Sequence, residues 1–259
     1  MMNKIFFFDI DGTLALHGHI PKSNIEALQK LKEKGYLTFI CTGRAGHYAK
    51  KLFKDLVSGY IACNGRYIIY QNKRILGKSF QKDELTLLKK KFNQLNCGYL
   101  LASDDVSVAI DIHDKDISQL YHDYGKEHII FHEDNLPIYT FDLFYDNLDH
   151  RDYIIEELKN DIVFNDHGGH GSGDCSTLNF DKGHAIKYLL DYFHIDKDNA
   201  YAFGDGYNDQ AMFREVSHSI AMGNAIELLK QQASYITDDI SNDGILKALV
   251  HENIIKNKQ

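Results

Sequence analysis

The stretch that decides the fold lies near the start of the sequence: Lys4-Ile5-Phe6-Phe7-Phe8-Asp9-Ile10-Asp11-Gly12-Thr13-Leu14. An unbroken apolar run such as Ile5 to Phe8 is typical of a strand that is buried on both faces of a sheet. Side chains alternate along a strand, so Asp9 and Asp11 project on the same side, and Gly12 lets the backbone turn sharply. The stretch therefore predicts two carboxylates at the carboxyl end of a buried strand, which is where open α/β sheets bind ligands.

The composition narrows the class of protein. The chain has 259 residues, of which 44% are hydrophobic and 25% are charged, which is usual for a globular protein of one large or two smaller domains. No window approaches the roughly 18 apolar residues of a membrane span, and the run Ile5 to Phe8 is too short for a signal-peptide core. We therefore expect a cytoplasmic protein without a membrane partner. The formal charge of −8 also disfavours nucleic-acid binding.

The cysteines also fit the expectation of a cytoplasmic protein. The four of them are far apart and form no CxxC pair: Cys41, Cys63, Cys97 and Cys175. This spacing indicates neither a disulfide framework nor a thiolate zinc site. We expect buried, reduced thiols.

A βα alternation follows the opening strand. A helix from about Pro21 ends at Gly35, and a second buried strand, Tyr36 to Cys41, ends in Thr42-Gly43-Arg44. Strands joined by a helical crossover lie parallel, so Thr42 is expected at the same sheet edge as Asp9. A helix, a third strand and a small hairpin bring this pattern to about residue 80.

The rhythm then changes, and hairpins mix with helices up to about residue 180. This mixture favours an inserted α+β module. The parallel-sheet pattern resumes with a helix that starts near Lys182 and a strand that ends in Gly204-Asp205-Gly206-Tyr207-Asn208-Asp209. We predict an α/β protein with a Rossmann-like parallel-sheet core, helices on both faces, and an inserted α+β cap. The predicted core covers 1–80 and 181–259, and the predicted cap covers 81–180.

The segment 166–174 contains four glycines in nine residues and is predicted to be a flexible loop between two strands of the cap. Its histidines, His167 and His170, are compatible with a solvated loop, with substrate contact or with a metal site. Asp142 and Tyr145 are further candidates for substrate contact in the cap.

Three strand ends and one helix start point to a single place in this fold. They carry Asp9, Asp11, Thr42, Lys182, Asp205, Asn208 and Asp209. Four ionised acids against one lysine leave an excess of negative charge that calls for a divalent cation. Oxygen ligands without cysteine or histidine favour a hard ion, and Mg²⁺ is the commonest one that leaves room for water and phosphate.

This equipment suits phosphoryl transfer, which needs positioning and charge neutralisation. Asp9 would attack phosphorus and form an aspartyl-phosphate. Asp11, two residues further on, would protonate the leaving oxygen and later take a proton from the attacking water. Each motif by itself has a simpler explanation, such as a helix cap or a solvated lysine, and only their joint occurrence favours a shared site.

Four motifs carry a family resemblance, and they occur in the family's order: Asp9-Ile10-Asp11-Gly12-Thr13, Thr42-Gly43-Arg44, Lys182-Gly183 and Gly204-Asp205-Gly206-Tyr207-Asn208-Asp209. They resemble those of the haloacid dehalogenase-like phosphatase superfamily. The later stretch Ala221-Met222-Gly223-Asn224-Ala225 and the insert are similar to its Cof-type members with a type IIB cap. The resemblance covers the whole chain.

The resemblance implies a role for each matching residue. Asp9 would be the nucleophile and Asp11 the acid/base. The Asp9 side chain, the Asp11 carbonyl and Asp205 would bind Mg²⁺. Asp209 would act on the groups around the ion or through a water molecule. The phosphoryl oxygens would be held by Thr42, the Gly43 amide, Lys182 and Asn208. Family members often carry an acid on the last cap strand before the lysine, whereas the segment from Cys175 to Asn179 is neutral.

The favoured function is a Mg²⁺-dependent phosphatase that hydrolyses a small phosphorylated metabolite, such as a sugar phosphate, a nucleotide or a phosphorylated cofactor. The insert would then be a lid that excludes water and contacts the leaving group. Two alternatives stay open. One is a phosphomutase, and the other is a phosphoacceptor module in which phospho-Asp9 is a signal, although a large inserted lid argues against the latter.

Overall fold

The computed structural model describes residues 4–16, 18–132 and 135–256, so the outermost ends of the predicted core, 1–3 and 257–259, lie outside the described residues. The strands are β1 (Ile5–Phe8), β2 (Leu37–Cys41), β3 (Gly59–Ala62), β4 (Tyr67–Tyr70), β5 (Lys73–Gly77), β6 (Gly98–Ala102), β7 (Ser107–Ile110), β8 (Ile129–Ile130), β9 (Thr140–Phe144), β10 (Ile162–Asp166), β11 (Ser172–Thr177), β12 (Ala200–Gly204), β13 (His218–Ala221) and β14 (Tyr235–Ile236). The α-helices are α1 (Lys22–Glu33), α2 (Gly46–Phe53), α3 (Lys82–Gln94), α4 (Asp114–Tyr124), α5 (Leu148–Leu158), α6 (Lys182–Phe193), α7 (Gln210–Phe213), α8 (Glu227–Gln232) and α9 (Gly244–His251).

The large sheet has the strand order β14-β13-β12-β1-β2-β3-β4-β5. The strands from β14 to β3 are parallel, and β4 and β5 extend the sheet as an antiparallel hairpin. The opening strand β1 lies in the middle, where every one of its residues is buried. Its aromatic rings stack on those of β12, with centroid distances of 4.6 Å for Phe6–Tyr201 and 4.7 Å for Phe8–Phe203. The predicted buried strand is thus confirmed.

The chain leaves the centre of this sheet in two opposite directions. From β1 it moves through α1 to β2 on one side, and from β12 it moves through α7 to β13 on the other. Because such crossovers are right-handed, opposite directions put the connecting helices on opposite faces of the sheet. In agreement, α1 packs with α9 and α6 packs with α7. The carboxyl ends of β1 and β12 therefore border the crevice in which open α/β sheets bind ligands.

The small sheet has the order β10-β11-β9-β6-β7-β8 and is antiparallel except for the pair β7–β8. One of its faces is covered by α3 and α5, which contribute Phe92 and Ile154 to a hydrophobic cluster with Phe141. This sheet and its helices form the inserted α+β cap, so the predicted fold class is confirmed. The limits 81–180 stay a proposal.

Two further sequence-based expectations concern the chain as a whole. None of the helices among the described residues combines the length and the apolar character that crossing a membrane requires. All four cysteines are buried free thiols.

Candidate active site

The ends of β1 and β12 bring the first acids together. The Asp9 amide donates to the Phe203 carbonyl at 3.0 Å, so the strand pairing continues into the site. Gly12 then turns the chain with φ +88°, and a Cβ atom at this position would lie 2.2 Å from Asp205 Oδ2. Only glycine fits here, because the turn after β1 is pressed against the acid that follows β12.

Lys182 connects two of the acids. It is the first residue of α6 and its side chain is 1% exposed. Its Nζ atom donates to Asp9 Oδ1 at 2.7 Å and to Asp209 Oδ1 at 2.8 Å. Burial by itself would lower the pKa of Lys182, but Asp209 and Asp9 outweigh burial and raise that pKa above its ordinary value. The lysine is therefore a fixed positive charge beside Asp9.

Asp209 is fully buried and uses both carboxylate oxygens within the protein. Oδ1 accepts from Lys182, and Oδ2 accepts from the amides of Asp205 and Gly206 at 2.9 and 3.0 Å. These contacts hold the turn after β12 in shape. Asp209 thus stabilises the turn and Lys182 through its hydrogen bonds. The preceding residue, Asn208, is half-buried in the same turn.

The site has more acids than one lysine can balance. Single oxygen atoms of Asp9, Asp205 and Asp209 all lie within 4.8 Å of one another. Burial and then the neighbouring Asp209 raise the pKa of Asp9 well above its usual range and that of Asp205 to about 7. Carboxylates that repel one another in this way, with oxygen as the donor atom throughout, fit a hard divalent cation. Three of the four predicted metal-site acids are therefore clustered.

The fourth, Asp11, lies at the rim with a side chain that is 47% exposed. Its Oδ2 atom accepts a hydrogen bond of 2.9 Å from Arg44 Nε. Arg44 also lies 3.7 Å from Asp123 of the cap and stacks over the ring of Tyr48. The arginine after Thr42-Gly43 thus holds the predicted acid/base, a contact that nothing beyond the motif itself could predict.

The second strand end is also at the site. Thr42 is buried, and its Oγ1 atom accepts from the Arg44 amide at 3.1 Å, which shapes the loop around Gly43. Thr13, which follows the opening acids, was not predicted as a site residue. Its hydroxyl donates to Asp205 Oδ1 at 2.7 Å and so fixes that carboxylate. Its place inside the opening motif was the available signal.

The cap corrects two predictions. The last cap strand before Lys182 is β11, and it carries a buried acid, Asp174, so the expectation of a neutral strand is wrong. The predicted loop 166–174 was too long, because β10 ends at Asp166 and β11 starts at Ser172. Asp174 Oδ2 accepts a 2.7 Å hydrogen bond from Asn64 Nδ2. The acid therefore lies at the contact between cap and core.

The other cap candidates separate into two groups. Asp142 is buried beside Asp174, and His167 Nε2 lies 3.4 Å from Asp174 Oδ1. Tyr145 instead donates to Asp166 within the cap at 2.6 Å, and His170 is exposed. Of these candidates, Asp142 and His167 lie within electrostatic reach of Arg44 in the core.

A parallel sheet with paired acids at its switch point, a buried lysine beside them and an inserted cap is typical of phosphoryl-transfer enzymes of the haloacid dehalogenase type. A family model described as haloacid dehalogenase-like hydrolase matches residues 6–249. The chain belongs to this family, and the predicted family and enzyme class, a hydrolase of the phosphatase type, are confirmed.

The chain is similar to relatives and to solved structures over nearly its whole length. YkrA of Bacillus subtilis strain 168, provisionally named a phosphatase, is 28% identical, with 99% of this chain and 100% of YkrA covered. YcsE of the same strain, a 5-amino-6-(5-phospho-D-ribitylamino)uracil phosphatase, is 27% identical, with 96% of this chain and 95% of YcsE covered. The structure of the subclass IIB sugar phosphatase BT4131 superposes with a TM-score of 0.82 at 25% identity, covering 98% of this chain and all of that one.

Proposed function

We propose that this protein hydrolyses a small phosphomonoester through an aspartyl-phosphate on Asp9. The observation that carries the proposal is the contact of Lys182 Nζ with both Asp9 and Asp209 at the carboxyl ends of β1 and β12. A buried ammonium beside Asp9 opposes the rise in the pKa of that carboxyl group and offers a positive charge to the phosphoryl oxygens. Thr42, the Gly43 amide and Asn208 would hold the remaining oxygens.

The reaction proceeds in two steps in this proposal. A carboxylate oxygen of Asp9 forms a bond to phosphorus, the bond from phosphorus to the ester oxygen breaks, and Asp11 gives that oxygen a proton. A water molecule then attacks phosphorus, Asp11 takes its proton, and inorganic phosphate leaves as Asp9 is regenerated. Arg44 holds the Asp11 carboxylate at the rim, where a leaving group would lie.

The clustered acids support a cation site between the ends of β1 and β12. The side chains of Asp9 and Asp205 and the carbonyl of Asp11 would hold Mg²⁺, with Asp209 and Thr13 fixing the surrounding groups. When bound, the ion supplies positive charge that screens the phosphoryl oxygens from the acids. The choice of Mg²⁺ over other hard ions follows from its usual partnership with phosphate.

A small phosphorylated metabolite is the proposed substrate. YcsE and BT4131 carry the names of phosphatases for such compounds, and we extend the class to this chain. The cap, for which we propose the limits 81–180, would cover the site during turnover and exclude water. A cytoplasmic location stays a prediction, in keeping with the four free thiols.

The test is hydrolysis of p-nitrophenyl phosphate and of a panel of phosphorylated metabolites, with Mg²⁺ and after addition of EDTA. We expect phosphate release that EDTA stops and Mg²⁺ restores. Asp9→Asn should abolish turnover and leave the thermal unfolding midpoint near that of the wild type. The matched control Asp191→Asn alters an exposed acid of α6 and should keep full activity.

Other outcomes favour the alternatives. A phosphorylated Asp9 that persists after acid quenching, without turnover of any ester, would point to a phosphoacceptor. An isomerised sugar phosphate without release of inorganic phosphate would point to a phosphomutase. Near-wild-type turnover by Asp9→Asn would rule out the covalent scheme.

A further inference from the structure

The cap contacts the core at α2, the helix that follows the second motif. Helix α2 packs against α4 of the cap, and the rings of Tyr48 and Tyr124 meet across this contact with a centroid distance of 5.3 Å. Lys51 Nζ donates to the carbonyl oxygens of His122 and Asp123 at 3.1 and 3.0 Å. The last carbonyls of a helix have no partner within the helix, so this lysine holds the carboxyl end of α4 against the core.

Arg44 lies between this end of α4 and the predicted acid/base. Its Nε atom donates to Asp11 Oδ2 at 2.9 Å, and its Nη1 atom lies 3.7 Å from Asp123 Oδ2. The guanidinium group also stacks over the Tyr48 ring, 4.4 Å from the ring centroid. Because a guanidinium group is planar and rigid, the direction of its bond to Asp11 depends on how the rest of the group is held. The cap and the acid/base thus share one cation.

The Asp11 carboxylate has little else to orient it. Its side chain is 47% exposed, and the bond from Arg44 is the one hydrogen bond that this carboxylate accepts within the described part of the chain. An exposed ion pair by itself orders its partners weakly, because it must overcome the freedom of two side chains. Arg44 can therefore orient Asp11 only if Arg44 is itself fixed. Tyr48 fixes it from the core, and Asp123 fixes it from the cap.

Asp123 suits this task because its own helix holds it. Its Oδ1 atom accepts a 2.9 Å hydrogen bond from Gln119 Nε2, one turn earlier in α4, and lies 3.1 Å from His122 Nδ1. The other carboxylate oxygen, Oδ2, is the one that faces Arg44. Lys51 also binds the Asp123 carbonyl, so the residue is fixed relative to α2 as well as to the cap. A displacement of the cap would therefore take an anionic partner away from Arg44.

We propose that Asp123 is a positioning residue, which acts through Arg44 to hold Asp11 where it can protonate the leaving oxygen. The inference rests on the proposed phosphatase function. In the first step the leaving oxygen keeps the electron pair of its broken bond to phosphorus and takes the proton of Asp11. A general acid must lie within hydrogen-bond reach of that oxygen. The cap thus completes the acid catalyst in addition to covering the site.

The basicity of the leaving group decides how much this proton matters. An alkoxide is a strong base and leaves only when it is protonated, whereas p-nitrophenolate is a weak base and leaves without a proton. Two esters of similar size therefore isolate the role of Asp11: 4-nitrobenzyl phosphate has an alkoxide leaving group, and p-nitrophenyl phosphate does not. The parameter kcat/KM reports the steps up to the aspartyl-phosphate, in which the leaving group departs.

The experiment measures kcat/KM for both esters in the wild type and in Asp123→Asn, which removes the charge and keeps the shape. We expect Asp123→Asn to lower kcat/KM by at least about thirtyfold for 4-nitrobenzyl phosphate and by only about threefold for p-nitrophenyl phosphate. Arg44→Met should show the same preferential loss. Adding Asp123→Asn to Arg44→Met should change the ratio of the two values by less than about twofold, because Asp123 acts through Arg44.

The matched control is Asp105→Asn. Asp105 is an exposed acid of the cap that forms another ion pair with α2, at 3.7 Å from Lys50 Nζ. Its loss removes a contact between cap and core without touching Arg44, so the control should keep the wild-type ratio of the two kcat/KM values. Thermal unfolding checks that every variant is folded.

Four results would overturn the proposal. They are an equal effect of Asp123→Asn on both esters, the same preferential loss in the control, additive losses in the double variant, and a wild type that hydrolyses p-nitrophenyl phosphate alone. The last result would mean that no proton reaches the alkoxide. Failure of the wild type to hydrolyse either ester would instead contradict the proposed function.

Discussion

Asp174 of the cap lies against Gly43 of the core so closely that a Cβ atom at position 43 would be 2.5 Å from the Asp174 carboxylate. Real Cβ atoms do not approach an oxygen to this distance, so the Asp174 carboxylate keeps this position only because residue 43 has no side chain. The glycine of the second motif is therefore a requirement of cap seating as well as a source of a backbone amide.

Gly43→Ala tests this requirement. The added methyl group should push Asp174 away and lower kcat/KM for p-nitrophenyl phosphate by about 100-fold, as misplacement by about 1 Å can do. Steady-state kinetics and thermal unfolding measure the effect. The double variant Gly43→Ala/Asp174→Ala removes the opposing carboxylate. Adding Gly43→Ala to Asp174→Ala should therefore lower kcat/KM much less than adding it to the wild type. No recovery would mean that the methyl group acts elsewhere.

Lys182→Met tests the buried ion pairs. Removing the ammonium leaves Asp9 and Asp209 buried without their cation, and loss of one partner of a buried pair costs about 3–5 kcal/mol. The free energy of unfolding, measured by urea titration without metal, should fall by that amount, and kcat should fall by a factor of about 100 to 1,000. Lys187→Met, an exposed residue of the same helix, is the control. A variant as stable and active as this control would contradict the assignment.

Asp205→Asn should weaken Mg²⁺ binding and at the same time raise the stability of the metal-free protein. The Mg²⁺ concentration for half-maximal activity should rise at least about tenfold, because a charged oxygen ligand is lost. The metal-free variant should unfold at a higher temperature than the metal-free wild type, because burial and Asp209 oppose the charged form of Asp205. Metal titration after EDTA treatment and thermal unfolding measure the two effects. An unchanged Mg²⁺ requirement would remove Asp205 from the ligand set.

His47 should make the protein sensitive to acid. It is buried, and neither ring nitrogen has a hydrogen-bond partner within the described part of the chain. Burial, followed by His128, lowers its pKa to about 3. Below about pH 6.5, His47 therefore binds a proton in the unfolded state but stays neutral in the folded state. His47 should lower the free energy of unfolding by up to about 1.4 kcal/mol per pH unit from pH 6.5 downwards.

His47→Leu removes this effect and is the test. Urea titrations at pH 7.5, 6.5 and 5.5 should show a shallower loss of stability in His47→Leu than in the wild type. His122→Gln, which changes a histidine that is 80% exposed, should keep the wild-type slope. Parallel slopes for all three proteins would show that His47 does not titrate in this way.

The central sheet and most of the site were predictable because they depend on strand ends. Once β1 and β12 were recognised as parallel strands, the meeting of Asp9 with Asp205 followed from the geometry of sheets. The contact of Lys182 with Asp9 followed the same logic, since α6 starts at the same edge. Local sequence patterns were therefore enough to predict which of these side chains meet.

The cap side was less predictable for a physical reason. Strand β11 has the sequence Ser-Gly-Asp-Cys-Ser-Thr, in which one face is polar, and Asp174 on that face contacts Asn64 of the core. A strand with this pattern reads as a loop, and so Asp174 was missed. The hydrogen bond from Arg44 to Asp11 likewise depends on tertiary placement, for which a single sequence offers no periodicity.

The central position of β1 also has a consequence for biosynthesis. Its first neighbour, β2, follows shortly after it in the chain, but its second neighbour, β12, starts only at Ala200. While a ribosome makes the intervening cap, one edge of the phenylalanine-rich β1 has no strand to pair with. Open apolar edges are where nascent chains aggregate. The strand that leads into Asp9 is thus made well before β12 and completes its pairing late.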